Sequence, residues 1–527
     1  MSLPLVVVLS SLLGPGDDVW SHLWETRLGD LIGNTLGLLL GVLLGTALLG
    51  ISLAWFAAVY DFPGRRWFEW AMVLPFAFPT YVLGYIYLDL FGLSGPIQQF
   101  LRDQSGSVPA WFPDIRSTAG VATVMTIAFY PYVYLLARAA FRTHGRASIE
   151  AARSMGCSPW QAFLRVTLPM ARPWLFGGLL LVAMETLADF GTVAIFNYDT
   201  FTTAIYKAWF SLFSLDAASR LAALLLFFAL GLLWLERYSR GRQRYVPVGQ
   251  DRGGTSRRVL QGGRGWLVAF YFTAVFAVAV VLPLAHLAYW VSMTWATEAG
   301  NHYWTLVRHT LMIGSMAALL LCAGALILSY GVRIHPGPLS EGFVSVSTMG
   351  YALPGAVLAV GVFLPLAWLD NQLFDLFESL TGTSPEVLLN GTLAVMLAAY
   401  FVRFLAVAHQ PVQASMTRIK PSLDEAARAL GRSRWGVLRE IHLPMLRAGL
   451  FSAFLLVMID VMKEMPITLM TRPFGWDTLS IRIFELTSEG EYARAALPSA
   501  LLVVAGLIPV SLLAKFTGNS GSSEALH

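Results

Sequence analysis

Ionisable residues stand at matching positions in two apolar segments of the 527-residue chain. Glu185 and Asp189 lie in the first segment, and Asp460, Lys463 and Glu464 lie in the second. A charged side chain near the centre of a bilayer costs at least about 2.5 kcal/mol on insertion scales, so these residues are candidates for a functional site. Because residues four apart share a helix face, each segment is expected to direct two carboxylates the same way.

Four carboxylates around a central pathway would suit a hard cation, because hard metal ions prefer oxygen ligands. In the structural alternative, Lys463 pairs with Asp460 or Glu464. Glu185 and Asp189 then form hydrogen bonds to neighbouring helices and serve gating or assembly. Both interpretations stay open at this point. We expect no stably bound cofactor, and any contact between an ion and these five side chains would be transient.

The composition places both segments in a membrane. Hydrophobic residues make up 56% of the chain, charged residues make up 13%, and the mean hydropathy is +0.62. Such a surface needs lipid as its solvent, so we predict an all-α polytopic membrane protein. A membrane-spanning helix takes about 20 residues. Eleven apolar runs are candidates: 31–60, 67–91, 119–141, 175–196, 217–235, 266–291, 311–330, 343–369, 392–409, 450–470 and 495–513.

The distribution of basic residues predicts the orientation, because Lys and Arg are retained on the cytoplasmic side. Residues 142–173 carry five arginines and one acid, whereas residues 370–390 carry four acids and no Lys or Arg. The first segment is therefore predicted to be cytoplasmic and the second external. The formal net charge of +4 reflects this topology, and nucleic-acid binding is not expected.

The chain is a tandem duplication. A shift of 275 positions aligns Pro79 with Pro354, and 11 of the 23 residues from 150 to 172 are then identical to their counterparts. Unrelated stretches of ordinary composition would share roughly one or two. Because both basic loops lie on one side, the pseudo-twofold axis should follow the membrane normal, with half a pore from each half.

The repeat also predicts the segment boundaries. Leu3-Pro4-Leu5 resembles Leu282-Pro283-Leu284, so residues 3–13 would be the remaining end of a twelfth span. The predicted segments are a partial first span with an external segment (1–30), a first transmembrane domain (31–236), a cytoplasmic linker (237–264), the first span and external loop of the second half (265–304), a second transmembrane domain (305–516) and a C-terminal tail (517–527).

The basic loop of the first half, residues 142–173, predicts two short helices. Ser148 is expected to cap the first, and Gly156 supplies the left-handed residue that ends it. Ser158 then starts a second helix, with Pro159 at its first position and Gln161 three residues after the cap.

The counterpart loop of the second half, residues 417–448, repeats this punctuation. Ser422 and Glu425 have the spacing of a capping box. Gly431 is expected to end that helix, and Ser433 to cap the next one.

The pattern Glu-Ala-Ala, three residues, glycine, and Leu-Pro about a dozen positions later resembles the EAA loop of type I ABC import permeases. In that family the loop contains the coupling helix, which docks on the ATP-binding subunit. The resemblance implies this role for Glu150, Ala151, Ala152, Gly156 and Pro169 in the first loop and for Glu425, Ala426, Ala427, Gly431 and Pro444 in the second. The sequence has no G-x-x-x-x-G-K-[ST] phosphate loop, so the chain is predicted to be a transport subunit whose ATPase is a partner.

Residues 184–193, 199–209, 463–468 and 472–479 resemble the fused ferric-iron ABC permeases. This resemblance implies a multi-pass protein of the bacterial inner membrane that transports Fe3+. It further implies two partners: a periplasmic iron-binding protein and a homodimeric ABC ATP-binding subunit.

Three alternatives remain. The same machinery could carry thiamine, a phosphonate, a polyamine or sulfate, although the intramembrane acids disfavour anions. A 12-span secondary transporter driven by ion gradients through Glu185 or Asp460 would leave the two Glu-Ala-Ala loops unexplained. A membrane enzyme is disfavoured because no H-E-x-x-H or G-x-S-x-G motif occurs.

Overall fold

The computed structural model describes residues 2–109, 111–240, 258–260, 262–298, 300–382, 389 and 391–522. It describes the backbone but not the side chains of residues 143–151, 153, 159, 236–240, 258, 301 and 509–522. Within the described part the chain is almost entirely helical, which confirms the predicted all-α fold.

The α-helices of the first half are Ser2–Ser10, Asp18–Thr26, Leu28–Val59, Arg65–Ala71, Thr80–Phe91, Pro96–Ser105, Thr118–Ser154, Pro159–Ala162, Leu168–Ala188, Gly191–Ile195, Phe201–Tyr206 and Leu215–Arg240. Those of the second half are Gly263–Phe276, Leu282–Glu298, Asn301–Ile334, Pro338–Thr348, Gly355–Thr381, Leu393–Met416, Pro421–Ala429, Arg434–Val437, Leu443–Lys463, Pro466–Thr471, Leu479–Ser488 and Tyr492–Ser522. Four π-helical turns (Phe163–Thr167, Lys207–Ser211, Ala277–Val281 and Leu438–His442) and three 3-10 turns (Ser11–Leu13, Leu74–Ala77 and Met349–Ala352) join some of these helices.

Nine helices of the described chain are long and apolar enough to cross a membrane, and two further pairs of helices pass the same test if each bent pair counts as one span. An additional apolar helical stretch is Tyr492–Ile508. The candidate span over residues 67–91 is bent, because the chain turns by 90° between Ala77 and Thr80. Pro79 explains the break, since the residue before a proline is driven to an extended conformation, and Phe78 has φ −91° and ψ 130°. The predicted span 343–369 breaks at the aligned Pro354 in the same way.

The chain forms two compact units. The first-half unit comprises Trp24–Thr203 and Leu225–Trp290. The second-half unit comprises Met1–Leu23, Ala204–Leu224 and Val291–His527. Each unit therefore contains a segment from the other half of the duplicated sequence.

The N-terminal helix Ser2–Ser10 packs inside the second-half unit. A Cβ atom added to Gly361 would lie 2.9 Å from the carbonyl oxygen of Pro4 and 3.0 Å from Val8. Glycine at this position therefore allows the helix Gly355–Thr381 to approach the N-terminal helix closely.

The reciprocal segment packs inside the first-half unit. The ring of Phe272 lies 4.9 Å from Phe62 and 5.6 Å from Phe68, measured between centroids. The hydroxyl of Tyr87 donates a hydrogen bond to the carbonyl of Val278 at 2.5 Å. Each half thus completes its core with the first helix of the other half of the sequence.

A two-residue strand ties the linker to the first-half unit. Tyr60–Asp61 pairs in parallel with Arg258–Val259. Beside it, Arg65 is buried and pairs with Asp61 at 2.9 Å and with Glu69. Residues 241–257 of the predicted linker lie outside the described residues.

Candidate functional site

The first intramembrane acid ends one helix and caps the next. The helix Leu168–Ala188 stops before Asp189, whose backbone is extended (φ −65°, ψ 126°). One carboxylate oxygen, Oδ1, accepts hydrogen bonds from the backbone N–H groups of Thr192 at 2.9 Å and Val193 at 3.3 Å. The other, Oδ2, accepts from the hydroxyls of Thr80 at 2.6 Å and Thr192 at 3.0 Å. Asp189 therefore satisfies the free N–H groups at the start of Gly191–Ile195.

The second half repeats this break. Leu443–Lys463 stops before Glu464, whose torsions (φ −68°, ψ 124°) nearly equal those of Asp189. The Oε1 atom of Glu464 accepts a hydrogen bond from the N–H of Ile467 at 3.1 Å, in the first turn of Pro466–Thr471. The same oxygen lies 3.4 Å from Nη1 of Arg403.

A hydroxyl supports each break from the following segment. Thr202 Oγ1 donates to the carbonyl of Asp189 at 2.8 Å, and Ser480 Oγ donates to the carbonyl of Glu464 at 3.3 Å. These bonds satisfy carbonyl groups that the end of a helix leaves free. The two breaks are therefore one construction built twice.

Arg403 is a site residue that sequence reasoning missed. It lies in Leu393–Met416 and is 9% exposed, and its partner Glu464 is 6% exposed. Because an arginine inside an apolar run is expensive, its presence within the predicted span 392–409 was the signal that could have identified it. The aligned residue of the first half is Ala128.

Gly355 makes room for this ion pair. A Cβ atom at Gly355 would lie 2.0 Å from Nη1 of Arg403 and 2.8 Å from Oε1 of Glu464. The aligned residue of the first half is Thr80, whose hydroxyl bonds to Asp189. A threonine hydroxyl in one half is therefore replaced by a glycine and an arginine in the other.

The remaining predicted acids lie one turn before the breaks. Glu185 is half-buried in Leu168–Ala188. In the second half, the carboxylate of Asp460 and the ammonium of Lys463 interact electrostatically. Arg403 and Lys463 thus balance the formal charge of Asp460 and Glu464.

The expectation of one helix running through both acids of each segment is wrong, because Asp189 and Glu464 are the first non-helical residues and cap the following helices. Among the residues that the structure describes, no three His, Cys, Asp or Glu side chains are grouped so that they could hold a metal ion.

The two basic loops share a helix end. Gly156 has φ +86° and Gly431 has φ +81°, the left-handed conformation predicted for both. The N–H of the next residue reaches back in each case: Cys157 to the carbonyl of Ala152 and Arg432 to that of Ala427, both at 3.0 Å. This is the Schellman pattern, in which glycine avoids the steric cost of positive φ.

The predicted caps after the glycines are confirmed. Ser158 and Gln161 form a reciprocal capping box, with N-to-O distances of 3.0 and 3.2 Å. Ser433 Oγ accepts from the N–H of Gly436 at 3.2 Å. In each half a π-helical turn follows, Phe163–Thr167 or Leu438–His442, and joins the loop to the membrane helix that begins with Leu-Pro.

Two predicted helix starts are wrong. Ser148 does not begin a helix, because Thr118–Ser154 is continuous. Ser422 and Glu425 do not form a capping box, because Pro421–Ala429 has Lys420 as its N-cap and no side-chain cap. Pro421 explains both results: it stops the preceding helix and starts a new one, whereas the first half has Arg146 at this position. The side chains of Glu150 and Ala151 lie outside the described residues.

The fold and the duplicated loops define a bacterial ABC importer permease, and sequence comparison agrees. The chain belongs to the family described as "Binding-protein-dependent transport system inner membrane component", which matches residues 33–237 and 310–518. It is a fused two-domain permease and a multi-pass protein of the bacterial inner membrane.

Three relatives illustrate the range of this family. Fe(3+)-transport system permease protein FbpB 2 of Haemophilus influenzae is 28% identical over 94% of this chain and 91% of its own length. Ferric transport system permease protein FbpB of Actinobacillus pleuropneumoniae is 24% identical over 82% of this chain, which spans about 63% of that relative. The putative 2-aminoethylphosphonate transport system permease protein PhnV of Salmonella typhimurium is 28% identical over 53% of this chain and 98% of its own length.

Proposed function

We propose that this chain is the permease of an ATP-driven importer that moves Fe3+ from a periplasmic binding protein into the cytoplasm. The observation that carries the machinery is the pair of Schellman-ended loops at residues 152–157 and 427–432, which have the same hydrogen bond at the same offset. Two equal loops on one chain suit two copies of one ATP-binding subunit, one docked on each loop. Fe3+ as cargo is supported by the ferric-transport names of relatives that match 82–94% of the chain.

In this mechanism, the chain supplies the pathway and the docking loops, and the partner supplies ATP hydrolysis. Closure of the ATPase pair would displace Ala152 to Gly156 and Ala427 to Gly431. Each loop continues through a π-helical turn into the helix that ends at Asp189 or Glu464. From Pro159 and from Arg434 onward the backbone is helical without a gap. Movement of the second short helix of each loop would therefore reach the helix break of the same half.

A phosphonate is the second candidate cargo. Arg403 and Lys463 place two positive groups beside the acids of the second half, and part of the chain resembles a protein named as a 2-aminoethylphosphonate permease. A phosphonate would meet these cations favourably, whereas Fe3+ would meet Glu185 and Asp189.

The test is uptake into proteoliposomes that hold the permease, the ATPase and the binding protein. Radiolabelled Fe3+ and 2-aminoethylphosphonate are compared, with and without ATP. We expect ATP-dependent uptake of Fe3+ and no uptake of 2-aminoethylphosphonate. Uptake of phosphonate alone would refute the proposed cargo, and uptake without ATP would refute the proposed mechanism.

The loops are tested with the double variant Glu150→Gln, Glu425→Gln. We expect weaker ATPase association and at least tenfold slower uptake. Glu341→Gln is the matched control, because Glu341 is an exposed carboxylate near the start of Pro338–Thr348, just after the helix that carries Arg333. Normal assembly and transport in the double variant would rule out the coupling role of these glutamates.

A further inference from the structure

The two loops are connected to the membrane helices in different ways. In the first half, the helix Thr118–Ser154 continues from the membrane into the loop without interruption. In the second half, Leu393–Met416 ends and Pro421–Ala429 starts after a short turn. Helical backbone therefore joins the loop to the preceding membrane helix in the first half only.

Arg333 bridges the interruption of the second half. Its Nη1 donates to the carbonyl of Met416 at 3.1 Å and to that of Ile419 at 3.0 Å. Its Nε and Nη2 donate to the two carboxylate oxygens of Asp424 at 2.7 and 3.0 Å. One guanidinium thus holds the end of the membrane helix, the turn and the loop helix together.

His442 extends the same cluster. Its Nε2 atom lies 2.8 Å from Oδ1 of Asp424, and the ring is 1% exposed. His442 is the last residue of the π-helical turn that leads into Leu443–Lys463. Asp424 therefore connects the loop helix to the membrane helix that carries Arg333 and to the one that ends at Glu464.

The first half has none of these three side chains at the aligned positions. The aligned residues are Ala58 for Arg333, Ile149 for Asp424 and Thr167 for His442. Trp55 and Phe163 pack there instead, with ring centroids 4.3 Å apart. The second half therefore has an ionic bridge where the helix is interrupted, and the three aligned positions of the first half, where the helix is continuous, carry uncharged residues.

We propose that Arg333 is a positioning residue that replaces helical continuity in the second half, so that Pro421–Ala429 moves with the membrane helices when the ATPase closes. The fork of a guanidinium suits this role, because it binds a carboxylate with two bonds while further N–H groups reach carbonyls. This inference rests on the proposed function, since it assumes that the loop transmits the ATPase motion.

The first measurement is hydrogen–deuterium exchange of residues 421–429 in the full-length permease, reconstituted in lipid nanodiscs. We expect at least tenfold faster exchange in Arg333→Ala than in Arg447→Ala, a matched variant at an exposed arginine of the same half. Unchanged exchange of the loop helix in Arg333→Ala would overturn the bridge. This measurement needs neither cargo nor ATP.

The second measurement is the amount of Fe3+ imported per ATP hydrolysed by the complete complex. We expect Arg333→Ala to lower this ratio at least fivefold, whereas a merely structural role would lower import and hydrolysis together. A wild-type ratio in Arg333→Ala with fast exchange would refute the positioning role. If the wild-type complex imports no Fe3+, the proposed cargo fails, while the exchange measurement still decides the bridge.

Arg333→Lys is a milder variant that keeps the test possible if Arg333→Ala does not fold. Lysine keeps the charge but not the fork. We expect intermediate exchange and an intermediate ratio, with unchanged exchange in Leu443–Lys463 as the folding control. Wild-type behaviour of Arg333→Lys in both measurements would show that charge alone suffices and would overturn the bridging role of the fork.

Discussion

Asp189 and Glu464 end their helices with backbone torsions that agree within a few degrees, yet different groups satisfy their carboxylates. Asp189 accepts from two hydroxyls and two backbone N–H groups. Glu464 accepts from one N–H and from a buried arginine. The comparison teaches that the duplicated chain has kept the shape of the break and exchanged the chemistry that stabilises it, in steps that compensate one another.

The largest expected effect comes from removing the arginine. Arg403→Ala leaves Glu464 buried without its cation, and breaking a buried pair costs about 3–5 kcal/mol. We expect this loss in the free energy of unfolding, measured by denaturant titration of the permease in detergent micelles. A loss below about 1 kcal/mol would mean that the 3.4 Å contact contributes little.

The comparison of the two halves also suggests a second substitution that should restore stability to Arg403→Ala. Gly355→Thr in the Arg403→Ala background installs the hydroxyl that the first half has at Thr80, in the space that the guanidinium vacates. Part of the lost stability should return, about 1 kcal/mol for one hydrogen bond. Further destabilisation would show that a threonine hydroxyl cannot replace the arginine as the partner of Glu464.

A smaller loss in the free energy of unfolding is expected from a substitution in the first half. Thr80→Val removes one of four hydrogen bonds to Asp189, so the carboxylate stays capped by the other three. We expect a loss of about 1–2 kcal/mol in the same titration. Thr123→Val is the control, because its exposed hydroxyl donates to the carbonyl of Ala119 within its own helix. Equal losses in the two variants would contradict a specific role for Thr80.

The smallest expected effect is a dependence on pH in the second loop. Burial raises the pKa of Asp424, but hydrogen bonds from Arg333 and His442 outweigh burial and hold this pKa below its usual range. Because the folded pKa is depressed, the stabilisation is present above the unfolded value, about 3.9, and is lost as pH falls through the folded value.

Hydrogen exchange of residues 421–429 below pH 4 checks this prediction, after correction for the intrinsic pH dependence of exchange. Protection of these residues in the wild-type protein should decrease as the pH falls, whereas protection in Asp424→Asn should not change with the titration of this side chain. An identical profile in both proteins would show that Asp424 does not titrate in the loop.

Much of this architecture follows from residue patterns. The duplication, the apolar runs and the glycines with positive φ are visible in sequence because each depends on local chemistry or on repetition. The broken spans were not predicted, although Pro79 and Pro354 align, because hydropathy counts apolar residues without regard to the backbone. The Ser422–Glu425 box failed for a related reason: Pro421 fixed the start of the helix and left that serine inside it.

The side-chain partners could not be predicted from one sequence. Arg333 and Asp424 lie 91 residues apart, and Arg403 and Glu464 lie 61 apart, so no local pattern connects them. The offset of 275 still carries information here. An arginine opposite Ala58 or Ala128 marks a position where the halves differ in charge, and a charge within an apolar helix needs a partner.

The exchange of first helices between the two units has a consequence for biosynthesis. Val8 packs against a segment around Gly361 that the ribosome makes roughly 350 residues later. At about 5–20 residues per second, the N-terminal helix waits on the order of half a minute in the bilayer before its site exists. The first-half unit likewise stays incomplete until Phe272 and Val278 have been inserted. Neither half is then finished before synthesis of the other has begun.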